Sequence, residues 1–433
     1  EIERPDLKEK FAREVSFNEL ITTSLMALNF PGIGKSHVDL FQIFAWRNWG
    51  FIRNNGRFGL VMPRNSVSGP SLEEWRREII SSGTFESVLF AQNKGGWVFP
   101  SIAHQIVVVF CVVAKTDGTK VQYAPVLTNR IDFEKWEMNS VGVDANELVN
   151  WSTTGSFPTL QSKVDIEVYR QVSLNPSLNN WDKQVRPVSE FNSTTNRSLF
   201  RLTQEQADDD CSPINAGATF QLWDPQYGAP FAYGKTAALL EFLESRLIRQ
   251  LRSKATAFYG VPLENLNPRP WDKPRIFFRD IARSSDPRTG IFCLMPARTF
   301  SLEGSPYLFI NNGDSADEAY LIGIFSSIIF DWICRQWVDL HFKFYIIQGL
   351  PVPSLGKNPI LTNRIQSISS QLVGQNESLR DWAKSVTDKD PRMLSADDKQ
   401  ALLAELDAVV GLCYGLSRDQ VEHIFENFRA GWD

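Results

Sequence analysis

The apolar residues of the first part of the chain recur at two different spacings. Apolar side chains follow a helical spacing over residues 38–54, and the run stops at the turn signal Asn54-Asn55-Gly56. The segment RFGLVMPRN then predicts a short buried strand that is closed by Pro63. A helix follows in SLEEWRREIISSG, with Ser71 as its N-cap and Gly83 just after its end.

Two apolar runs without alternation come next, at residues 85–90 and 105–114. Continuous Val and Ile runs are typical of strands that are covered on both faces. Because helices and strands succeed one another, the pattern predicts an α/β layer over residues 1 to about 120.

The later part of the chain mixes both element types. Helices are predicted over residues 235–254 and from about 317 to 336, and RIFFRDIA and GIFCLMPART read as a strand pair between them. The run KFYIIQGLPVP predicts a strand that leads into a proline-rich exit, and the chain after it is mostly helical.

Length and charge narrow the possible functions. A chain of 433 residues is long enough for two or three domains. Its net charge of -5 argues against a general binder of polyanions. Residues 235–298, however, contain 12 Lys and Arg against 6 Asp and Glu, an asymmetry compatible with a nucleic-acid face or with a solvated helix surface.

Cysteine and histidine usage indicates no metal site. The 5 cysteines are far apart and mostly lie in apolar runs, which fits buried thiols in a reducing compartment, and the 4 histidines are isolated. The longest apolar run, YLIGIFSSIIF, is too short to span a bilayer, so no membrane partner is predicted. We expect a cytoplasmic protein whose sequence begins part-way through a longer polypeptide.

The segment GIGKS resembles the end of a phosphate-binding loop. A full loop needs a glycine five residues before the GK[ST] glycine, after a buried strand. Asn29 occupies that position, and the preceding LITTSLMALNF is more helical than strand-like. A glycine turn before a helix that starts near His37 is therefore the better interpretation.

Taken in order, the motifs of the first 115 residues resemble adenine-specific DNA methyltransferases of the type IIG restriction-modification class. Related methylases occur in BREX and DISARM phage-defence systems. The matching residues are Gly34, Asp39, Leu40, Phe41 and Phe44, then Gly56, Gly59 and Pro63, then Phe90, Asn93, Phe99, Pro100, His104, Phe110 and Cys111. The resemblance continues in residues 189–200, 277–296, 325–353 and 401–428, so it covers some two-thirds of the chain. Its specificity lies in the order of the motifs.

The resemblance implies a fold class of α/β type in three parts. Residues 1–120 would be the later half of a doubly wound S-adenosylmethionine-dependent methyltransferase domain. Residues 121–354 would be an α+β target-recognition domain that binds double-stranded DNA, and residues 355–433 a C-terminal helical segment. The implied reaction methylates the exocyclic amine of an adenine that has been flipped out of the duplex.

The resemblance also assigns roles in the first part. Phe99 would be the catalytic-site aromatic on which the flipped adenine stacks, and its flanking Gly95, Gly96 and Pro100 favour a loop over plain core packing. Asp39, Leu40 and Phe41 would border the S-adenosylmethionine pocket.

One part of the family pattern is missing. The acceptors for the target amine come from a motif with a Pro-Pro dipeptide, and this sequence contains none, nor a glycine-rich loop for the cofactor. We therefore expect the N-terminal part of the methyltransferase to be in the same polypeptide or in a partner subunit. We expect this chain alone to be inactive.

Candidate DNA contacts lie in two segments. Arginine is the commonest reader of bases, and lysine commonly positions phosphates. The candidates are Arg275, Arg279, Arg283, Arg288 and Thr289 in the first segment, and His341, Lys343 and Tyr345 on one face of the second. We expect Arg288 and Thr289 at a loop tip, and Arg275 and Arg279 on one face of a strand. The alternative pairs these arginines with Asp272, Asp280 and Asp286.

Two other function classes stay open. The chain could be a DNA-binding specificity subunit without chemistry of its own. It could also be an interaction scaffold whose α/β domain only resembles a methylase.

Overall fold

The computed structural model describes residues 4–33, 38–118, 120–152, 154–201, 207–284 and 286–428. The chain divides into two compact units, residues 1–167 and 168–433. The motif residues Gly34, Lys35 and Ser36 lie outside the described residues. Gly32, just before them, has a φ of 77° in a turn, a backbone conformation that favours glycine.

The first unit contains helices and strands in alternation. In chain order they are α1 (Pro5–Met26), α2 (Leu40–Phe51), β1 (Arg57–Pro63), α3 (Asn65–Ser68), α4 (Glu73–Ser82), β2 (Thr84–Gln92), β3 (Val107–Ala114), β4 (Lys120–Tyr123), α5 (Arg130–Glu134), α6 (Trp136–Asn139), β5 (Val141–Asp144) and α7 (Ala145–Trp151). Helix α8 (Lys163–Val172) crosses the division between the units.

The strands of the first unit form one sheet in the order β1-β3-β2-β4-β5. Strands β1 and β2 both run antiparallel to β3, and β4 runs parallel to β2, so β1, β2 and β4 share a direction. Strand β5 pairs antiparallel with β4, which places it at one edge. The first sheet thus extends beyond residue 120.

Burial confirms two of the strand predictions and corrects a third. Strands β2 and β3 are buried along most of their length, as continuous apolar runs indicate. The prediction of a buried β1 is wrong, because only Met62 of its seven residues is buried. Its position at the edge of the sheet explains the exposure.

The second unit is a mixed arrangement of short strands and longer helices. Its elements are β6 (Val185–Val188), β7 (Cys211–Asn215), β8 (Ala232–Lys235), α9 (Thr236–Gln250), β9 (Arg275–Phe278), β10 (Phe292–Met295), β11 (Phe300–Ser301), β12 (Tyr307–Ile310), α10 (Ser315–Ser326), α11 (Ile328–Arg335), α12 (Phe344–Gly349), α13 (Pro359–Val373), α14 (Arg380–Thr387), α15 (Ala396–Tyr414) and α16 (Arg418–Glu426). The strands form two sheets, in the orders β10-β9-β12-β6 and β11-β7-β8.

The predicted strand pair is confirmed as β9 and β10, which pair antiparallel with all eight residues buried. The single helix predicted near 317–336 is instead two helices. Ser327 separates them with an extended ψ of 154°, and its side chain accepts a hydrogen bond from the Phe330 N–H to cap α11.

Two other predictions are wrong, the first in the second unit and the second in the first unit. The predicted strand KFYIIQG is helix α12. Lys343 is the N-cap of this helix and Tyr345 lies within it, so the expected shared strand face of His341, Lys343 and Tyr345 is absent. Ser71 lies in a short 3-10 turn, and Leu72 is the N-cap of α4. In the part of the chain that is described, no helix is both long and apolar enough to cross a membrane.

Candidate nucleic-acid interface

A single buried asparagine shapes the loop between β2 and β3 of the first unit. The Asn93 side-chain amide donates to the carbonyl oxygens of Phe99 (2.8 Å) and Ile102 (2.9 Å). Its Oδ1 accepts from the backbone N–H groups of Val98 (3.1 Å) and Phe99 (2.9 Å). These four bonds satisfy the amide completely and hold the loop in one shape.

This loop presents apolar side chains to solvent. Phe99 is 39% exposed, and Ile102 and Ile106 are also exposed. Gly95 and Gly96 have φ values of 71° and 72°, in the left-handed region that glycine adopts without a steric penalty. Phe99 therefore lies on a structured loop, where a flat ligand can reach its ring, and its stacking role stays a prediction.

The predicted cofactor-side residues lie at the start of α2. Asp39 is the N-cap residue, and its backbone N–H lies 3.4 Å from the Gln42 side-chain oxygen. Asp39 and Leu40 are exposed, and Phe41 is half-buried. They are accessible, and nothing in the first unit tests their role.

In the second unit, a short backbone bridge joins the two segments that are predicted from the sequence to contact DNA. Ile281 and His341 pair as an isolated antiparallel bridge. The Phe342 N–H donates to the Asp280 carbonyl at 2.6 Å, and the Ala282 N–H to the Leu340 carbonyl at 3.3 Å. Segments about 60 residues apart in sequence therefore lie side by side.

The side chains on and beside this bridge form an exposed set of mixed chemistry, which we call the bridge surface. It consists of Ile281, Arg283, Leu340, His341, Lys343 and Tyr345, all of them exposed. Such a surface offers cations for phosphates and an aromatic ring for a sugar or base.

Asp280 orients two of these side chains. Its Oδ2 lies 2.7 Å from His341 Nδ1, and its Oδ1 lies 3.5 Å from Lys343 Nζ. The Asp280 side chain is only 15% exposed, whereas those of His341 and Lys343 are 47% and 50% exposed. The mostly buried carboxylate thus positions the two side chains, and the exposed parts of His341 and Lys343 remain accessible to a ligand.

The loop that carries Arg283 is tied down at several points. Thr289 Oγ1 donates to the Arg283 carbonyl at 2.9 Å, and Arg335 Nη2 donates to the carbonyls of Asp286 (2.6 Å) and Pro287 (2.9 Å). The Gly290 N–H donates to Asp331 Oδ1 at 2.5 Å. These bonds hold the backbone at Arg283, Asp286, Pro287 and Gly290, while the Arg283 side chain remains exposed.

The anchor of this loop is a buried carboxyl group. Burial raises the pKa of Asp331, and the nearby Arg288 guanidinium and the Gly290 N–H oppose that rise. Burial also lowers the pKa of Arg335, which Asp331 opposes. The charge and the hydrogen bond thus offset part of the cost of burying this carboxyl group.

Several predicted contact residues lie away from the bridge surface. Arg275 is 2% exposed and pairs with the equally buried Glu190. The placement of Thr289 at a loop tip was wrong, because it is buried and its hydroxyl is used within the loop. The structure gives both side chains internal partners, which competes with any contact to DNA.

Two further arginines are intermediate cases. Arg279 donates to the Phe220 carbonyl and Arg288 to the Ser326 carbonyl, so both guanidinium groups turn inward from half-buried positions. Burial lowers the pKa of Arg279. Arg279 follows β9 instead of lying on it, so the expected shared strand face with Arg275 is absent.

The alternative partners predicted for these arginines are used differently. Asp272 pairs with Arg298 at 2.6 Å, Asp280 pairs with His341, and Asp286 accepts the Arg283 backbone N–H at 3.0 Å. None of these three described aspartates pairs with the guanidinium of Arg283, which lies at the surface.

Sequence reasoning did not find Ile281 or Leu340 as parts of a site, and it gave neither Asp280 the role of orienting His341 and Lys343 nor Asn93 that of holding the Phe99 loop. A signal existed for Asp280, which lies between Arg279 and Arg283 in a basic segment. The exposure of Ile281 and Leu340 follows from the bridge between distant segments, which no local pattern reports. Among the described residues, no group of three His, Cys, Asp or Glu could hold a metal ion.

Comparison with known proteins gives a structural likeness only. No family model and no curated protein matches this chain. The chain is similar to the type IIL restriction-modification enzyme MmeI in complex with DNA, with 11% identity and a TM-score of 0.50 over 94% of this chain and 54% of that one. It is less similar to the type IIG restriction endonuclease BpuSI, with 13% identity and a TM-score of 0.31 over 96% of this chain and 52% of that one.

The fold is therefore mixed α/β and similar to that of a restriction-modification enzyme. The chain spans about half the length of the enzymes that it matches. At these identities the likeness concerns the fold alone.

Proposed function

We propose that this chain is the DNA-recognition part of a restriction-modification or phage-defence protein, and that it binds DNA through the bridge surface. The observation that carries the proposal is the bridge between Ile281 and His341, which pairs the two segments that carry the exposed residues Arg283, Lys343 and Tyr345. Two segments nominated independently from the sequence meet there. The likeness to MmeI, which was solved in complex with DNA, supports the same function.

The chemistry of the bridge surface suits a duplex. Lys343 and Arg283 can neutralise phosphates, and His341 can donate to a phosphate or to a base edge. Tyr345 provides an aromatic face beside them, and Ile281 and Leu340 provide apolar contact. Because the Arg283 loop is already held in place, little ordering entropy is lost on binding.

We further propose that the first unit contributes part of an adenine-specific methyltransferase domain. In the first sheet β1, β2 and β4 share a direction and β3 and β5 are reversed, so only β2 and β4 pair parallel. The doubly wound arrangement therefore rests on the resemblance of the sequence motifs. Phe99, on the loop held by Asn93, would stack on a flipped adenine. Asp39, Leu40 and Phe41 would border S-adenosylmethionine, which supplies the methyl group; the exposed start of α2 is accessible to such a ligand.

DNA binding is tested by fluorescence anisotropy with a labelled 30-base-pair duplex at several salt concentrations. Each phosphate contact contributes roughly 0.9 to the slope of log affinity against log salt. We expect the variant Arg283→Ala/His341→Ala/Lys343→Ala to bind about 10-fold to 100-fold more weakly, with a slope smaller by about 2 to 3.

A matched control removes the same number of basic residues from the C-terminal segment. The variant Arg364→Ala/Lys384→Ala/Arg392→Ala removes cations that form exposed ion pairs, as Lys343 does. We expect its affinity and slope to match those of the unaltered chain. Equal losses in both variants would contradict a localised interface.

The methyltransferase proposal has a separate test. Transfer of labelled methyl groups from S-adenosylmethionine to adenine is measured with this chain alone. We expect none, because the acceptors for the target amine have to come from elsewhere. Methylation by residues 1–433 alone would contradict the proposal that the site is completed by another segment.

A further inference from the structure

The first unit exposes an unusual amount of apolar surface near its start. Helix α1 buries none of its 22 residues. Leu7, Phe11 and Val15 recur every four residues along it and form an exposed apolar stripe, with Phe11 69% exposed. Soluble proteins seldom leave such a contiguous stripe uncovered unless it binds something.

Helix α2 also exposes apolar side chains. Helix α2 exposes Leu40, Phe44 and Phe51, although the same helix buries Trp46 and Trp49 on its other side. Helix α2 therefore has two apolar faces, and only one of them is covered within the described residues.

Strand β1 adds an open edge to these faces. No strand in the described part of the chain pairs with the side of β1 that faces away from β3. Hydrogen bonds flank β1 at Gly56, whose carbonyl accepts from the Lys115 N–H at 3.1 Å, and at Arg64, whose N–H donates to the Val107 carbonyl at 3.3 Å. Because such pairs alternate, Phe58, Leu60 and Met62 bond to β3.

The same alternation fixes what the open edge offers. The backbone N–H groups of Arg57, Gly59 and Val61 point away from β3, and Pro63 closes the edge without a donor. Exposed edges are usually protected by charged side chains or bulges. Here Arg57 bonds instead to Glu86 on β2 at 2.7 Å, and Val61 is 54% exposed.

We propose that the open edge of β1, with the apolar faces of α1 and α2, is a docking surface for an α/β protein segment. That segment adds a strand to β1 and covers the exposed residues of α1 and α2 with its own apolar side chains. The occupant is inferred from the donors of the edge, which a strand satisfies, and from the MmeI fold, nearly half of which lies outside the matched part. This inference rests on the proposed function, because it identifies what completes the methyltransferase domain.

The test measures amide hydrogen exchange of β1 in the absence of DNA. In dilute chain we expect the amides of Arg57, Gly59 and Val61 to exchange at least 10-fold faster than those of Phe58, Leu60 and Met62. The probe is a seven-residue peptide of alternating valine and threonine at millimolar concentration. We expect it to slow the three outward amides selectively.

Two controls make the result specific. A peptide N-methylated at alternate residues on its pairing edge should give no protection. The variant Val61→Pro removes one outward donor without removing a bond to β3, and we expect it to weaken binding of the unmodified peptide about 10-fold.

Slow exchange of the outward amides in dilute monomer, or no protection by the peptide, would overturn the proposal. If the chain sediments as a dimer and Val61→Pro makes it monomeric, the occupant is a second copy and the proposal is wrong. None of these readouts involves DNA, so a failure here is separate from a failure of the bridge surface to bind a duplex.

Discussion

Two sets of exposed groups, one in each unit, differ in their chemistry. The surface of the first unit combines the apolar stripe of α1 with the backbone donors of the β1 edge. The bridge surface of the second unit combines cations, an aromatic ring and a supporting carboxylate. The first set suits a protein segment, and the second suits a polyanion.

The comparison shows that exposure alone does not identify a partner. Exposed apolar side chains lose their cost in water when a complementary protein surface covers them. Backbone donors that become buried in such a contact need acceptors from the partner. Exposed cations lose nothing in water and gain when they release counterions from DNA. The two surfaces should therefore respond to different substitutions and different solution conditions.

The largest expected effect is a difference in stability between variants of two arginines that lie in the same basic segment. Arg275→Ala leaves Glu190 buried without its partner, and we expect a loss of about 3 to 5 kcal/mol in the free energy of unfolding. Arg283→Ala should change stability by less than about 0.5 kcal/mol. Urea denaturation followed by tryptophan fluorescence measures both. If Arg275→Ala is as stable as the unaltered chain but binds DNA more weakly, Arg275 contacts DNA and its assignment to the interior is wrong.

A buried carboxyl group in the second unit should make the free energy of unfolding depend on pH. Burial raises the pKa of Glu318 from its usual 4.5 to about 7, and the Trp382 indole N–H donates to it at 2.7 Å. Between these values the folded state holds more protons than the unfolded state, so stability falls as pH rises from about 4.5 to about 7 and is level above.

Glu318→Gln removes this titration and keeps an acceptor for Trp382. We therefore expect the variant to be more stable than the unaltered chain by up to about 3 kcal/mol at pH 8, and by little near pH 4.5. Asp407, whose pKa burial raises to about 6, titrates in both proteins and cancels in the difference. Parallel stability curves for the two proteins across this range would contradict the effect.

A smaller expected effect tests whether the Asn93 side chain holds the Phe99 loop of the first unit in one conformation. Asn93→Ala removes four hydrogen bonds to the loop backbone, and we expect a loss of about 2 to 3 kcal/mol with faster proteolysis within residues 94–106. The control Phe99→Ala should leave proteolysis nearly unchanged. Equal proteolysis of the Asn93 variant and the unaltered chain would show that the amide does not hold the loop.

The smallest expected effect concerns α1. The variant Phe11→Ser/Phe17→Ser should change the free energy of unfolding of this chain by less than about 0.5 kcal/mol, because both rings are exposed. A loss of more than about 2 kcal/mol would mean that α1 packs against the first unit in solution, and the docking surface would lose its largest part.

Local pattern predicted the regular elements well where the pattern was long or continuous. The apolar runs of β2 and β3 and the periodic helix α9 lie close to their expected positions. The prediction for the short run KFYIIQG was wrong because a run of only four consecutive apolar residues fits either a strand or a buried helix turn.

Burial of individual charged residues could not be predicted from sequence. Arg275 and Arg283 lie in the same basic segment, and only Arg275 is buried. Its partner Glu190 is 85 residues earlier in the chain, so the pairing depends on tertiary contact. The bridge between Ile281 and His341 is equally non-local, although each segment carried its own candidate residues.

The central claim is that DNA contacts the second unit at the bridge surface and that the first-unit edge serves a protein partner. Amide hydrogen exchange with and without a 30-base-pair duplex tests it in one experiment. We predict slowed exchange in residues 280–284 and 340–346, with residues 5–26 and 57–63 unchanged. Protection of the α1 and β1 residues by DNA, with residues 280–284 and 340–346 unaffected, would contradict the account.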